Sequence, residues 1–189
     1  MKNIKEEVNL GNKKILLRLD LNVPIVNNKI MDTTRIDKIL PTLEFLINQN
    51  TNIIIISHVG RPEGKIVSEL SLKLICEELS KKLDKNIKLI SKNIKEINSK
   101  ELFDNNDERI IMLENIRFYS EEETNNQQFA KHLATLADIY VNDAFSCSHR
   151  AHASIHEITN FLPSYSGLQL SLEVDALKKI TSKLNCKPE

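Results

Sequence analysis

The segment Ile53-Ile54-Ile55-Ile56-Ser57-His58-Val59-Gly60-Arg61-Pro62 constrains the fold more than any other. An unbroken β-branched run stops abruptly at a polar loop. A strand that is apolar on both faces must be covered on both faces, as in a parallel sheet sandwiched between helices. Open sheets of that kind bind ligands beyond the carboxyl ends of their strands. His58 and Arg61 therefore stand where chemistry is expected.

The rest of the chain supplies partners for that strand. Residues 14–19, 53–56, 87–90, 109–113 and 139–141 read as strands. Between them lie stretches with helical spacing. In 32–49, Ile36, Ile39, Leu40, Leu43, Leu46 and Ile47 share a face; in 71–83, Leu74, Ile75, Leu79 and Leu83 do; 126–136 is also helical. Asp32-Thr33-Thr34 and Ser71 offer N-caps. Pro41 predicts a kink or a restart in the first helix, Pro24 an end to sheet pairing, and Asn27-Asn28 a turn. Glu63-Gly64-Lys65 is a loop. The polar segment 91–108 has room for one short helix around 94–103. Glu121-Glu122-Glu123 predicts a solvated acidic helix start. Residues 152–161 predict a short helix ended by Pro163. Gly167 opens a last amphipathic helix to about residue 184, and Lys187-Pro188 stops it. Strands alternating with helices predict an α/β fold, a three-layer, doubly wound, Rossmann-like parallel sheet. It forms one domain over residues 1–166, followed by a helix and linker over 167–189. With only four glycines, no G-x-G-x-x-G or G-x-x-x-x-G-K loop is present.

Composition narrows the function classes. The chain has 189 residues and 41% hydrophobic content, enough for one substantial core. Lys plus Arg equals Asp plus Glu at 26 each, which argues against a general nucleic-acid surface. No apolar run approaches the ~20 residues of a membrane span, and the start of the chain lacks the apolar core of a signal peptide. Cys76, Cys147 and Cys186 are odd in number and scattered, which fits a reduced, cytoplasmic protein.

The basic residues comprise 20 Lys and 6 Arg: Arg18, Arg35, Arg61, Arg109, Arg117 and Arg150. A lysine-rich chain keeps arginine where a planar, two-pronged grip on phosphate or carboxylate is needed. Arg35, Arg61, Arg117 and Arg150 follow strand ends or open a helix, which gathers them at one edge of a parallel sheet beside Asp20, Asn22 and His58. Two readings are open. The guanidinium groups share one anion carrying phosphate and carboxylate, or each pairs with a carboxylate such as Asp32, Glu114 or Asp143. His149 and His152 do not make a zinc site, which needs three or four converging ligands, and adjacent arginines oppose a metal cation. Cys147 beside His149 lacks an orienting partner and reads as an ordinary loop thiol.

With these residues in hand, the chain resembles the phosphoglycerate kinase family, in its N-terminal domain. The resemblance spans nearly the whole chain. It rests on Arg18-Leu19-Asp20-Leu21-Asn22-Val23-Pro24, Asp32-Thr33-Thr34-Arg35-Ile36, Ser57-His58-Val59-Gly60-Arg61-Pro62, Leu113-Glu114-Asn115-Ile116-Arg117-Phe118, Asn142-Asp143-Ala144-Phe145 and His149-Arg150-Ala151-His152-Ala153-Ser154. It implies a crevice for 3-phosphoglycerate or 1,3-bisphosphoglycerate. His58, Arg61, Arg117 and Arg150 would grip the phosphate, with Val59 and Gly60 in the same loop. Asp20, Leu21 and Asn22 would fix the hydroxyl end. Arg35 would be the catalytic residue, lying against the carboxylate and steadying the phosphoryl group as it moves. The family transfers that group between 1,3-bisphosphoglycerate and ADP, with Mg²⁺ alongside ATP or ADP, and is typically monomeric.

Three departures stand out. Leu21 takes the place of a common Phe. Ser146-Cys147-Ser148 takes the place of a frequent Gly-Thr-Ala before the His-Arg pair, which bears on the loop that aims Arg150. Ser171-Leu172-Glu173 stands where a hinge Glu-Lys-Glu is frequent. The resemblance also implies a second, nucleotide-binding domain, and residue 189 falls in the linker before it. The expectation is therefore a chain that binds 3-phosphoglycerate, holds no nucleotide or Mg²⁺ ligands of its own, and turns over negligibly alone. The alternative is a non-catalytic binding module. The apolar residues Leu170, Leu172, Val174, Leu177 and Ile180 discriminate by folding back on the sheet or projecting free.

Overall fold

The computed structural model describes residues 1–103 and 108–184. Cys186, Lys187 and Pro188 lie outside the described residues. In chain order the strands are β1 (Lys2–Asn3), β2 (Lys14–Leu19), β3 (Ile25–Val26), β4 (Lys29–Ile30), β5 (Asn52–Ile56), β6 (Lys88–Ile90), β7 (Ile110–Leu113), β8 (Ile139–Asp143) and β9 (Ser164–Ser166). The helices are α1 (Thr34–Asn48), α2 (Lys73–Leu83), α3 (Ser120–Glu123), α4 (Gln127–Ala134) and α5 (Leu168–Leu184). Seven strands form a sheet in the order β1-β9-β8-β2-β5-β7-β6, with every pairing parallel.

Strand alternation builds the layers. Ile15, Leu17, Leu19, Ile53 and Ile55 face one side, where they meet Ile36, Ile39, Leu43 and Leu46 of α1 and Ile75 and Leu79 of α2. Leu16, Ile54, Ile56, Ile111, Leu113 and Tyr140 face the other, against Phe129 and Leu133 of α4. All four isoleucines of β5 are fully buried. Each contributes roughly 1.5–3 kcal/mol of burial free energy, which explains the unbroken run. Helix α5 packs on α1 and the end of β8. Gly167 precedes it because a Cβ there would meet the Asp143 carboxylate at 2.3 Å. That carboxylate accepts from the Leu170 amide at 2.8 Å and from the Thr42 hydroxyl at 2.5 Å.

Several local expectations are corrected. Pro41 breaks nothing: α1 is one continuous helix. Pro41 and Asp37, whose carbonyl the ring deprives of a donor, are both exposed, so the lost bond leaves no buried residue unsatisfied. Thr33 gives its helix no side-chain cap; Asp32 accepts from the Thr34 amide instead. The stretch around 94–103 forms a 3₁₀ turn at Ile94–Glu96, not an α-helix, and residues 152–161 hold a 3₁₀ turn at Glu157–Asn160. The strands β1 and β9, at one side of the sheet, are too short for a period to register. Asn27 and Asn28 both take positive φ, closing a two-residue hairpin between β3 and β4. The largest correction concerns the acidic triplet: Glu122 is not solvated but fully buried.

Candidate functional site

Strand β2 sits at the centre of the sheet, between β5 and β8. The chain leaves β2 towards β5 and later returns to β8 on the other side, so a crevice opens beyond their carboxyl ends. Asp20, Ser57-His58 and Ala144 follow those three strands directly, and Asp143 ends the third.

On the α1 side of the crevice, Asp20 accepts from Arg35 in the first turn of α1 and, at 2.5 Å, from the Ser146 hydroxyl. With Lys38, Phe145, Gln169 and Glu173 these residues line a cleft of about 190 Å³. The Arg35 side chain is 46% exposed, so its ion pair is worth at most about 1 kcal/mol and yields readily to a better anion. Ser146, one of the departures from the family pattern, is thus bonded to a site carboxylate.

The loop after β5 is held from below. Asn115 is fully buried and donates to the carbonyls of Val59 and Leu70 at 2.8 Å each, while its own oxygen accepts from the Arg117 amide at 3.1 Å. Gly60 takes a φ of 64°, the left-handed region that glycine favours. Its amide donates to Asn22 at 3.0 Å and its carbonyl accepts from Arg117 at 3.1 Å. Asn22, Gly60 and Arg117 are therefore one connected unit. Leu21 and Val59 are buried and take part through the backbone; the Leu21 amide donates to the Ser57 hydroxyl at 3.2 Å.

A buried relay lies beneath this loop, on the α4 face. Arg18 is fully buried between apolar neighbours on β2. It donates to the Ser154 hydroxyl at 3.1 Å, to the Leu19 carbonyl at 2.5 Å and to Nδ1 of His58 at 2.9 Å. Arginine has no acceptor, so His58 Nδ1 must be unprotonated and its Nε2 carries the hydrogen. Burial, then the charges of Arg18, Arg117, His152 and Arg150, push the His58 pKa down to about 2. Burial and the same arginines also lower His152. Two buried nitrogens in this cluster, Arg117 Nε and His152 Nδ1, have no hydrogen-bond partner among the described residues. Arg117 Nε lies 3.6 Å from Glu123, and His152 Nδ1 lies 3.7 Å from Glu122.

The structure therefore brings His58, Arg117 and Arg150 within one another's fields and Asp20 beside Arg35. Arg61 is exposed at the loop tip and makes no polar contact among the described residues. Neither Arg61 nor Arg150 forms an ion pair among them. The pairing reading fails for the three carboxylates it named. Asp32 accepts from Thr34, Glu114 from the Leu72 and Asn115 amides, and Asp143 from Thr42 and Leu170. Two of the four arginines do pair, with other carboxylates: Arg35 with Asp20, and Arg117 with Glu123 at 3.6 Å. Sequence reasoning missed Arg18, Asn115, Glu122 and Ser154 as parts of the site. One signal was present: Arg18 is a scarce arginine inside an apolar strand. Among the described residues, no three His, Cys, Asp or Glu side chains converge to hold a metal, so no step is assigned to one here. Nor is any helix long and apolar enough to cross a membrane.

Comparison with known proteins follows this geometry. A family model described as phosphoglycerate kinase matches residues 5–188. The chain is 52% identical to the phosphoglycerate kinase of Wolbachia pipientis subsp. Culex pipiens, over 94% of its own length and 44% of that protein. It is 43% identical to that of Bartonella bacilliformis, over 92% of its length and 43% of the relative. Among solved structures, phosphoglycerate kinase from Coxiella burnetii superposes with a TM-score of 0.81 at 40% identity, covering 92% of this chain and 43% of that one. The enzyme from Pyrococcus horikoshii gives 0.83 at 28% identity, covering 95% and 45%. The chain thus spans less than half the length of these relatives.

Proposed function

The chain belongs to the phosphoglycerate kinase family, and on that premise we propose that it forms the 3-phosphoglycerate side of a glycolytic, cytoplasmic phosphotransferase. In this reading His58 (through Nε2–H), Arg61, Arg117 and Arg150 grip the phosphate. Asp20 and Asn22 orient the hydroxyl, with Leu21, Val59 and Gly60 shaping the loops. Arg35 moves from Asp20 to the carboxylate that gains or loses the phosphoryl group. Positioning and charge neutralisation supply most of the catalysis in phosphoryl transfer, and both are what these side chains can offer. ATP, ADP and Mg²⁺ belong to the part of the relatives that this chain does not span. Residues 1–166 would be the substrate domain and 167 onward the link to the second one, in a monomeric enzyme.

One observation carries the proposal: Arg117 Nε is buried with no hydrogen-bond partner among the described residues, Glu123 standing 3.6 Å away, inside a cluster of positive charge. A buried donor without an acceptor is costly, and an anion entering the crevice would satisfy it. Calorimetric titration with 3-phosphoglycerate tests it. Saturable heat that is weakened by Arg117→Ala supports the reading; no heat from the folded chain at millimolar ligand ends it.

A second reading has its own support. Leu170 is buried, but Leu172, Leu177 and Ile180 of α5 are 65%, 50% and 56% exposed. A non-catalytic module that docks a partner through α5 would show this pattern. Titration with 3-phosphoglycerate would then give no saturable heat that Arg117→Ala weakens.

A further inference from the structure

The second residue of the acidic triplet has no part in the reading above, yet it is the most deeply buried carboxylate near the site. Glu122 is fully buried at the end of the short helix α3. One carboxylate oxygen accepts from the Ser154 amide at 2.9 Å and the other from the Ser154 hydroxyl at 2.6 Å. The Glu122 carbonyl accepts from the Ala153 amide at 2.9 Å. Glu122 thus fixes both backbone and side chain of Ser154, at the end of the segment that carries Arg150 and His152. The Ser154 carbonyl is fixed in turn by the Tyr140 hydroxyl at 2.6 Å.

Charge assigns the purpose. Arg18 is fully buried, and its three direct partners, Ser154, Leu19 and His58, are all neutral. A buried guanidinium without a counter-ion is strongly disfavoured. Glu122 stands one hydroxyl away: burial raises its pKa, and the Arg18 charge and the two Ser154 hydrogen bonds oppose that by favouring the ionised form. The Ser154 hydroxyl donates its hydrogen to Glu122 and accepts from Arg18, so both bonds are polarised in one direction.

We propose that Glu122 is a positioning residue for the phosphate-binding cluster: as counter-ion to Arg18 through the Ser154 hydroxyl, it fixes the His58 ring with Nε2–H free to donate, and holds the Arg150–Ser154 segment in place. The inference rests on the reading of this crevice as an anion site. It differs from a structural role in what it demands of the folded variant. It also differs from simple electrostatics, by which removing a negative charge near an anion site would tighten binding.

The test is Glu122→Gln, a change of charge at constant shape, with two readouts on the folded protein. Affinity for 3-phosphoglycerate should fall about tenfold or more, while Glu121→Gln, on the neighbouring half-buried carboxylate that pairs with Lys95, leaves it unchanged. Nitrogen-15 spectra of the histidine rings at neutral pH should show His58 as a single Nε2–H tautomer in the wild type and as a mixture in the variant. The second readout needs no ligand. If wild-type protein fails to bind 3-phosphoglycerate, the anion-site reading falls and the ring spectra still decide the role of Glu122. Unchanged or tighter binding together with an unchanged His58 tautomer overturns the proposal. If Glu122→Gln does not fold, Ser154→Ala cuts the same relay at the hydroxyl and is read in the same two ways.

Discussion

Arg18 donates to Nδ1 of His58 over 2.9 Å with both side chains buried, so a histidine at the mouth of the site is held neutral by the arginine behind it. The consequence is a pH-dependent stability. The His58 pKa is depressed to about 2 by burial and by Arg18, Arg117, His152 and Arg150. The unfolded chain takes up a proton near pH 6.5, and the fold cannot. The stabilisation is full above about pH 6.5 and is lost as pH falls, by up to about 1.4 kcal/mol per pH unit from this group. His152, also depressed, acts in the same direction. Glu122 and Asp143 are raised by burial and act oppositely: their contribution is lost as pH rises through their folded values. Urea unfolding between pH 8 and pH 5 of wild type and His58→Gln isolates the histidine. The variant should show the flatter loss of stability towards acid; parallel curves contradict the geometry.

Asn115 predicts a destabilisation that touches the site without touching substrate. Asn115→Ala strands two carbonyls and one amide that it satisfies in the fold. The expected cost is about 2–3 kcal/mol, read from the urea midpoint. A change under about 0.5 kcal/mol, the usual size at the surface, would show that the Val59-Gly60 loop is held by something else.

Ser146→Gly removes the hydroxyl that steadies Asp20 beside Arg35. The side chain is exposed, so stability should barely move. Affinity for 3-phosphoglycerate should weaken by about threefold to tenfold as Asp20 loses one restraint. Tighter binding would mean that the hydroxyl competes with substrate.

Gly167→Ala drives a Cβ into the Asp143 carboxylate. That carboxylate holds the first turn of α5, so overpacking should cost about 1–3 kcal/mol. Hydrogen exchange should show the Leu170 amide losing protection first. Loss elsewhere, with Leu170 unchanged, would detach α5 from this anchor.

What the residues disclosed depended on periodicity and burial. The central strands were legible because β2 and β5 must be apolar on both faces, and α1, α2 and α5 because one face of each repeats at helical spacing. The short strands β1 and β9 were not: two or three residues carry no period. Arg35 could be located by its place at a helix start, but its pairing with Asp20, 15 residues away, could not. Glu122 was misread because an acidic triplet looks solvated on composition alone. Its burial depends on Ser154 and Arg18, which the chain brings there from 32 positions later and from a different strand.

The gathering of His58, Arg61, Arg117 and Arg150 on one dianion is tested most directly by titrating the folded, ¹⁵N-labelled chain with 3-phosphoglycerate at constant ionic strength. Backbone and arginine side-chain resonances report each position. The expected result is a set of saturable shifts, with one common midpoint, at Asn22, Arg35, His58, Gly60, Arg61, Arg117 and Arg150. Shifts that do not saturate at millimolar ligand, or that spread over surface lysines and leave these residues unmoved, would contradict it.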